Sequence, residues 1–249
     1  MEIDINCDLG EGSDLASCKR DAQIMPFISR CNIACGGHAG NPDIIRRSIE
    51  NALQNNLKIG AHPSYPDREN FGRKSIEIPK NLLLDTLHKQ VGLLEGLADE
   101  AGITLDHFKL HGALYNDAEA DRKLAKQIIE LFSQEYPTLK IVGLANGAME
   151  AASAELGKQF IREGFMDRLY LNRQQLTPRT LPGSVITDLD RCLAQALALA
   201  KGGSFNSYYG KVLQFSVDTI CLHGDTPEAP KIAERLFNYF QFSGLSLRR

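Results

Sequence analysis

Seven short runs rich in Ile, Val and Leu, most of them separated by longer segments with helical apolar spacing, constrain this chain more than any other feature. The runs are 3–8, 31–35, 57–61, 107–111, 139–144, 159–163 and 217–222. Apolar periodicity predicts helices over 42–55, 80–101, 118–135, 147–156, 188–201 and 228–241. Strands joined through helices cannot turn back as hairpins, so the pattern implies a parallel α/β sheet. Periodicity alone fits both a closed barrel and an open doubly wound sheet. The helix over 42–55 has a clear start, with Asn41 as cap, Pro42 at the first position and Ile44, Ile45, Ile49, Ala52 and Leu53 on one face. The helix over 80–101 carries Leu83, Leu84, Leu87, Val91, Leu94 and Leu97, and Gly102 stops it. Segment 166–187, with Arg168, Tyr170, Arg173, Arg179 and two prolines, fits neither period and reads as a long functional loop or a small hairpin excursion. No linker or repeat divides the chain, so residues 1–249 are read as one domain.

Composition then narrows the function. With 28 Lys and Arg against 31 Asp and Glu, the formal charge is −3, which argues against nucleic acid as partner. The adjacent arginines Arg46–Arg47 and Arg248–Arg249 read as solvated surface. No apolar run approaches the roughly 20 residues that span a bilayer, so no membrane role is expected. The start, Met1-Glu2-Ile3-Asp4, is acidic where a secretory signal is basic and then apolar. Six cysteines (7, 18, 31, 35, 192 and 221) are too sparse for a disulfide framework. Cys7, Cys35 and Cys221 read as small core residues, and the expected compartment is the cytoplasm.

Four of the six histidines end a strand-like run and precede a turn: His38, His62, His111 and His223. The first strand ends comparably, in Asp8-Leu9-Gly10-Glu11. In a parallel α/β fold all carboxyl ends share one face, where sites form. Asp8, Glu11, His38, His62, Lys109, His111, His223 and Asp225 therefore form one candidate catalytic group. A single such histidine is more often a packed residue under a loop; the set is harder to explain by packing. His88, in mid-helix, and His107, at a strand start, read as structural. Asp8, His38 and His62 suit a divalent metal with open positions, although no HExxH-type spacing supports it. Metal-free acid–base chemistry, with Lys109 supplying positive charge to an oxyanion, is the alternative. The turn Gly36-Gly37-His38-Ala39-Gly40 leads into a helix, yet neither GxGxxG nor GxxxxGK[ST] is present, so nucleotide binding by this chain alone is weakly supported. Arg73, after a turn-rich loop, and Arg168 or Arg179 are candidates to pair with a substrate carboxylate.

Asp4-Ile5-Asn6-Cys7-Asp8-Leu9-Gly10-Glu11-Gly12, the run from Asn32 to Gly40, Gly60-Ala61-His62-Pro63, Phe71-Gly72-Arg73, His111-Gly112-Ala113-Leu114-Tyr115-Asn116 and His223-Gly224-Asp225 together resemble the LamB/YcsF family of 5-oxoprolinase A subunits. Gly164 to Arg168, Pro178-Arg179 and Pro182-Gly183 also fit its pattern. Gly37 and Leu110 depart from it, standing where Phe and Pro are usual. The resemblance implies a seven-stranded β/α barrel similar to glycoside hydrolase and deacetylase barrels. It further implies a complex with partner subunits B and C that opens the lactam of 5-oxoproline (pyroglutamate) to L-glutamate, with ATP bound mainly by the partners. Asn6, Arg73, Tyr115, Asn116, Arg168 and Arg179 would bind substrate. A stand-alone metal-dependent deacetylase, a non-catalytic binding subunit and a homo-oligomer are the competing expectations.

Overall fold

The computed structural model describes residues 1–248, so Arg249 of the terminal arginine pair lies outside the described residues. In chain order the elements are β1 (Glu2–Leu9), α1 (Leu15–Ile24), β2 (Arg30–Ala34), α2 (Pro42–Gln54), β3 (Lys58–His62), α3 (Lys80–Glu100) and β4 (His107–Lys109). They continue as α4 (Gly112–Ala120), α5 (Arg122–Glu135), β5 (Lys140–Leu144), α6 (Ala148–Glu155), β6 (Phe160–Phe165), β7 (Tyr170–Asn172) and β8 (Gln175–Leu176). The last are α7 (Leu189–Lys201), β9 (Ser204–Asn206), β10 (Val212–Gln214), β11 (Thr219–His223), α8 (Ala229–Phe242) and β12 (Ser246–Leu247).

Strands β1 to β6 and β11 pair in parallel, and β11 returns to β1, with Asp4 opposite Thr219 and Asp8 opposite His223. The sheet is therefore a closed seven-stranded barrel, and the open-sheet alternative is set aside. Closure divides every strand by parity. Ile3, Ile5, Cys7 and Leu9 of β1 are buried among the outer helices' apolar faces. Asp4, Asn6 and Asp8 point inward, because their side chains bond to other barrel strands, Asp4 to Arg30 of β2 and Asn6 and Asp8 to Lys109 of β4, rather than to neighbouring helices.

The barrel interior is polar, in layers. At its base Arg30 bonds both Asp4 oxygens at 3.0 and 2.9 Å and reaches Asp106 at 2.9 Å. His107, fully buried, donates through Nε2 to Asn32 Oδ1 at 2.8 Å, in keeping with its structural reading. Asn32 passes the network upward to Asn6 (2.8 Å) and Asp8 (2.7 Å). Buried polar groups of this kind are stable when each finds a partner.

Several boundaries differ from expectation. The run 107–111 is a strand only to Lys109, since His111 is the N-cap residue of α4. The helix expected over 118–135 is two helices: Asp121 ends α4 and accepts from Lys123 N (2.8 Å) and Leu124 N (3.3 Å) to cap α5. The excursion at 166–187 is a hairpin, β7–β8, closed by a bridge from Arg168 to Val185. Helix α1 and the β9–β10 hairpin add to the elements that periodicity predicts. All six cysteines are free and buried, and Arg46 and Arg47 form surface ion pairs with Glu100 and Glu50. Among the described residues no helix is long and apolar enough to cross a membrane.

Gly60 tests the packing of the polar interior. A Cβ built there would lie 2.3 Å from His107 Nε2, so a side chain must displace a ring held at both nitrogens. Gly60→Ala is expected to lower the stability of the purified chain by about 1–3 kcal/mol, read as a lower urea midpoint with little change in slope. An unchanged midpoint would show that the ring is free to move.

Candidate active site

The carboxyl ends of the strands converge on a cavity of about 100 Å³. It is lined by Asp8, Glu11, His62, Lys109, His111 and His223, with Arg73, Tyr115, Asn116, Arg168, Arg179 and Asp225 among its further walls. A larger space of about 650 Å³ beside it shares Arg73, Tyr115, Asn116, Arg168 and Arg179 and runs under the β7–β8 hairpin.

Lys109 sits at the floor, 2% exposed. Its Nζ meets Glu163 Oε1 at 2.7 Å, Asp8 Oδ1 at 2.9 Å, Asn6 Oδ1 at 3.0 Å and Cys221 Sγ at 3.3 Å. Burial alone would lower the lysine pKa, but the Asp8, Cys221 and Glu163 environment raises it well above its ordinary value. The same burial would raise the Asp8 carboxyl, and His62 with Lys109 holds it well below the usual range.

Above this floor Glu11 gathers three imidazoles. Its Oε1 lies 2.9 Å from His38 Nε2, 3.1 Å from His111 Nδ1 and 3.8 Å from His62 Nε2. His62 Nδ1 donates to the Lys109 carbonyl (2.8 Å) and His111 Nε2 to the Phe71 carbonyl (2.9 Å). A carbonyl can only accept, so these contacts set the tautomers and turn His62 Nε2 and His111 Nδ1 toward each other, 3.0 Å apart. His38 stacks on His111 at 3.6 Å; burial lowers its pKa to about 4, so the ring is neutral at pH 7. Glu11 is itself held below the usual carboxylate range: burial opposes this, and the neighbouring imidazoles of His111, His38 and His62 outweigh it.

The expected residues do not all share one role. Asp8, Glu11, His38, His62, Lys109 and His111 meet as anticipated. Of the residues expected to suit a metal, His38 and His62 gather with Glu11 and His111, and Asp8 groups with Cys221 and His223, its Oδ2 3.4 Å from His62 Nε2. Asn6 is a correction, because it is fully buried beneath Lys109 and does not line the cavity. Asp225 is on the rim, where it pairs with Arg73 at 2.9 Å. Tyr115, Arg168 and Arg179 line the same cavity. Arg168 is 4% exposed, donates to the Thr177 carbonyl at 2.7 Å, and keeps its Nε without a hydrogen-bond partner among the described residues.

Three polar groups lie beyond the sequence reading. Glu163 faces inward from β6, and Asp167 follows that strand and meets His223 Nδ1 at 2.7 Å. Cys221 is not simply apolar filling, since its thiol faces Lys109. The inward parity of β6 and β11 is the signal that could have found Glu163 and Cys221. His88, by contrast, contacts Tyr136 on the outer surface, consistent with a structural residue.

The surroundings of Gly37 leave no room for a side chain. A Cβ there would fall 2.2 Å from Gln90 Oε1 and 2.5 Å from Ser64 Oγ. Gln90 fills that space and clamps Ser64 through both its backbone N–H and C=O, each at 2.9 Å, which steadies the loop after His62. Leu110, the other departure, is buried and lines the cavity.

A closed parallel barrel with a buried carboxylate–imidazole cluster at its carboxyl end defines the class: a β/α-barrel protein with ionisable groups gathered where the strands end. The chain belongs to the LamB/YcsF family, whose model matches residues 3–249. It is 38% identical over 246 residues to the 5-oxoprolinase A subunit of Bacillus cereus, covering 98% of this chain and 97% of that one. The Bordetella parapertussis protein of the same name is 37% identical, with 99% and 98% covered. The solved structure of a lactam utilization protein from Thermus thermophilus superposes with a TM-score of 0.91 at 32% identity, covering 100% and 99%. A family 4 carbohydrate esterase from Streptomyces lividans, at 10% identity and a TM-score of 0.52, covers 100% and 92% and shares the fold alone.

The His223–Asp167 pair gives a pH signature. Burial would lower the His223 pKa, but Asp167 raises it above the ordinary value. Folding thus favours the protonated ring: this stabilisation is complete below the free-imidazole value of about 6.5 and is lost as pH rises through the folded value. Proton NMR should place the His223 titration above about 6.5 in the folded chain, and Asp167→Asn should bring it down. The stability cost of Asp167→Asn should be larger near pH ~6 than near pH ~9. Equal costs at both would show that the pair carries no ionic component.

Proposed function

We infer that this chain is the A subunit of an ATP-dependent 5-oxoprolinase and contributes the site at which the lactam of 5-oxo-L-proline is opened to L-glutamate. The observation that carries this reading is a cavity with two chemically different walls. On one, Glu11, His62 and His111 are placed to take a proton from water beside the buried Lys109 ammonium. On the other, Arg168 and Arg179 offer guanidinium donors to a carboxylate. The relatives' names, 5-oxoprolinase A subunit and lactam utilization protein, support the same substrate.

The chemistry follows from the bond. A lactam carbon is a poor electrophile, and phosphorylation of its oxygen by ATP makes it reactive. Water, deprotonated by the Glu11–His111 pair, adds to that carbon. The ring C–N bond then breaks and the departing nitrogen takes a proton, leaving a glutamyl phosphate. A second water hydrolyses it to L-glutamate and phosphate, so the sum is lactam, ATP and two waters to glutamate, ADP and phosphate. Lys109 stabilises negative charge on the reacting oxygen. This chain has no P-loop sequence, and in this reading partner subunits B and C hold ATP. Tyr115 and Asn116 border the ring, and the Arg73–Asp225 pair stands at the rim.

The test is reconstitution with B and C, following glutamate release and ADP formation from 5-oxoproline. Glu11→Gln or His111→Ala in a folded subunit is expected to lower kcat by about 10²–10⁴. Arg179→Ala should mainly raise KM. Full turnover by the Glu11 and His111 variants would move the chemistry to another subunit, and ATP-independent amide hydrolysis by this chain alone would favour the deacetylase-like alternative.

A further inference from the structure

We propose that Glu11, His38, His62 and His111 form a binding site for a single divalent transition-metal ion. The cluster's four donor atoms lie within 4.8 Å of one another. Ligands at 2.0–2.1 Å from one ion are separated by about 3.0 Å when they subtend a right angle and about 3.4 Å in a tetrahedron. His62 Nε2 to His111 Nδ1 is 3.0 Å, Glu11 Oε1 to His38 Nε2 is 2.9 Å and Glu11 Oε1 to His111 Nδ1 is 3.1 Å. Three edges thus match a coordination shell; the fourth, Glu11 Oε1 to His62 Nε2, is wider at 3.8 Å, and His38 Nδ1 has no hydrogen-bond partner among the described residues.

The outer contacts point the same way. His62 and His111 each donate their far N–H to a backbone carbonyl, so in the neutral rings two lone pairs face each other across 3.0 Å. Such an arrangement is repulsive without a cation between the nitrogens, and carbonyl-oriented imidazoles are the usual support of metal-ligating histidines. Charge agrees. The Lys109 ammonium is already shared between Asp8 and Glu163, which leaves Glu11 facing ring nitrogens alone. Three imidazoles and one carboxylate select a zinc-like or iron-like ion over calcium or magnesium.

A second grouping, Asp8, Cys221 and His223, also brings three donors together. Lys109 Nζ stands 2.9 Å from Asp8 and 3.3 Å from Cys221, so a dication there would meet a fixed ammonium. The Glu11 cluster has no such neighbour among the contacts of its donor atoms in the described residues. When bound, the ion would occupy the Glu11 and His111 lone pairs and would itself lower the pKa of a nearby water, taking the place of proton transfer to that pair. Its use in lactam opening rests on the function proposed above, whereas its binding does not.

Cobalt(II) is the probe, added to the chelator-treated full-length chain. One equivalent should bind, with d–d absorption in the visible and no thiolate charge-transfer band, and thermal unfolding should shift upward. Glu11→Gln and His111→Ala should each weaken binding by about 100-fold or more and abolish the metal-dependent shift, while circular dichroism shows the fold retained. Cys221→Ser should bind as the parent does. Saturable binding unchanged in both ligand variants would overturn the proposal. So would a charge-transfer band that disappears in Cys221→Ser, or no binding beyond that of a His62→Ala/His111→Ala double variant. Glutamate release by the reconstituted complex is a separate readout: intact metal binding with no glutamate formed would refute the lactam reading and leave the ion.

Discussion

A lysine ammonium on the barrel axis organises this molecule. Lys109 comes from β4, yet its four partners come from β1, β6 and β11 on other sides of the barrel. An unpaired buried ammonium would lose its proton or expel itself to water. It persists because Asp8 and Glu163 converge on it, and they can converge because β11 closes against β1 and places Asp8 beside His223. The registers of distant strands are thus coupled to one charge. With His62, that charge holds the Asp8 carboxyl well below its usual range at the cavity floor, and the backbone of the same residue orients the next layer, since the Lys109 carbonyl holds the His62 ring.

The two walls of the cavity have different structural origins. The acid–base wall stands on strand ends and the first turns after them, the most rigid positions in a barrel. The cationic wall is borrowed from the segment after β6, where Arg168 is pinned by the Thr177 carbonyl and Gln195 Nε2 donates to the carbonyls of Phe165 and Arg168, each at 2.8 Å. Burial and the nearby Arg179 lower the Arg168 pKa. Two guanidiniums so close repel each other, and an anion between them would relieve that repulsion.

Much of this is legible in the residues, and the failures have physical causes. All seven barrel strands fall within about two residues of the apolar runs, because β-branched runs are local signals. The largest offsets are at β4, shortened by the His111 cap, at β6, which runs on to Phe165, and at β11, which starts only at Thr219. Closure is not legible from the spacing of elements, although strict alternation within β1 carries the clue. An open sheet covered by helices on both faces would be apolar at both parities, whereas Asp4, Asn6 and Asp8 alternate with Ile3, Ile5 and Cys7. Glu163 and Asp167 escape because neither adjoins a Gly-rich turn or a histidine, and only the folded barrel brings them to Lys109 and His223. Helix α1 escapes because its inner face includes Ser17, Cys18 and Asp21 rather than a row of large apolar residues.

The tautomers of the histidine cluster finally depend on a strained turn. His111 can direct Nδ1 toward Glu11 only while its Nε2 has the Phe71 carbonyl to bond. That carbonyl is brought into place by Phe71 at φ +56° followed by Gly72 at φ +63°, a left-handed pair that costs a non-glycine residue on the order of 1–3 kcal/mol. Gly72 is needed twice over, since a Cβ there would approach His38 and His111 at 3.0 and 3.1 Å. Gly112, at φ +61°, allows the following helix to begin with its Cα against the Gly72 carbonyl. The Phe71 ring lies edge-on to both His38 and His111, excluding water from their outer faces. The strain at Phe71 is therefore offset by the imidazole layer it completes, so loop 63–73 and the histidine cluster form one structural unit.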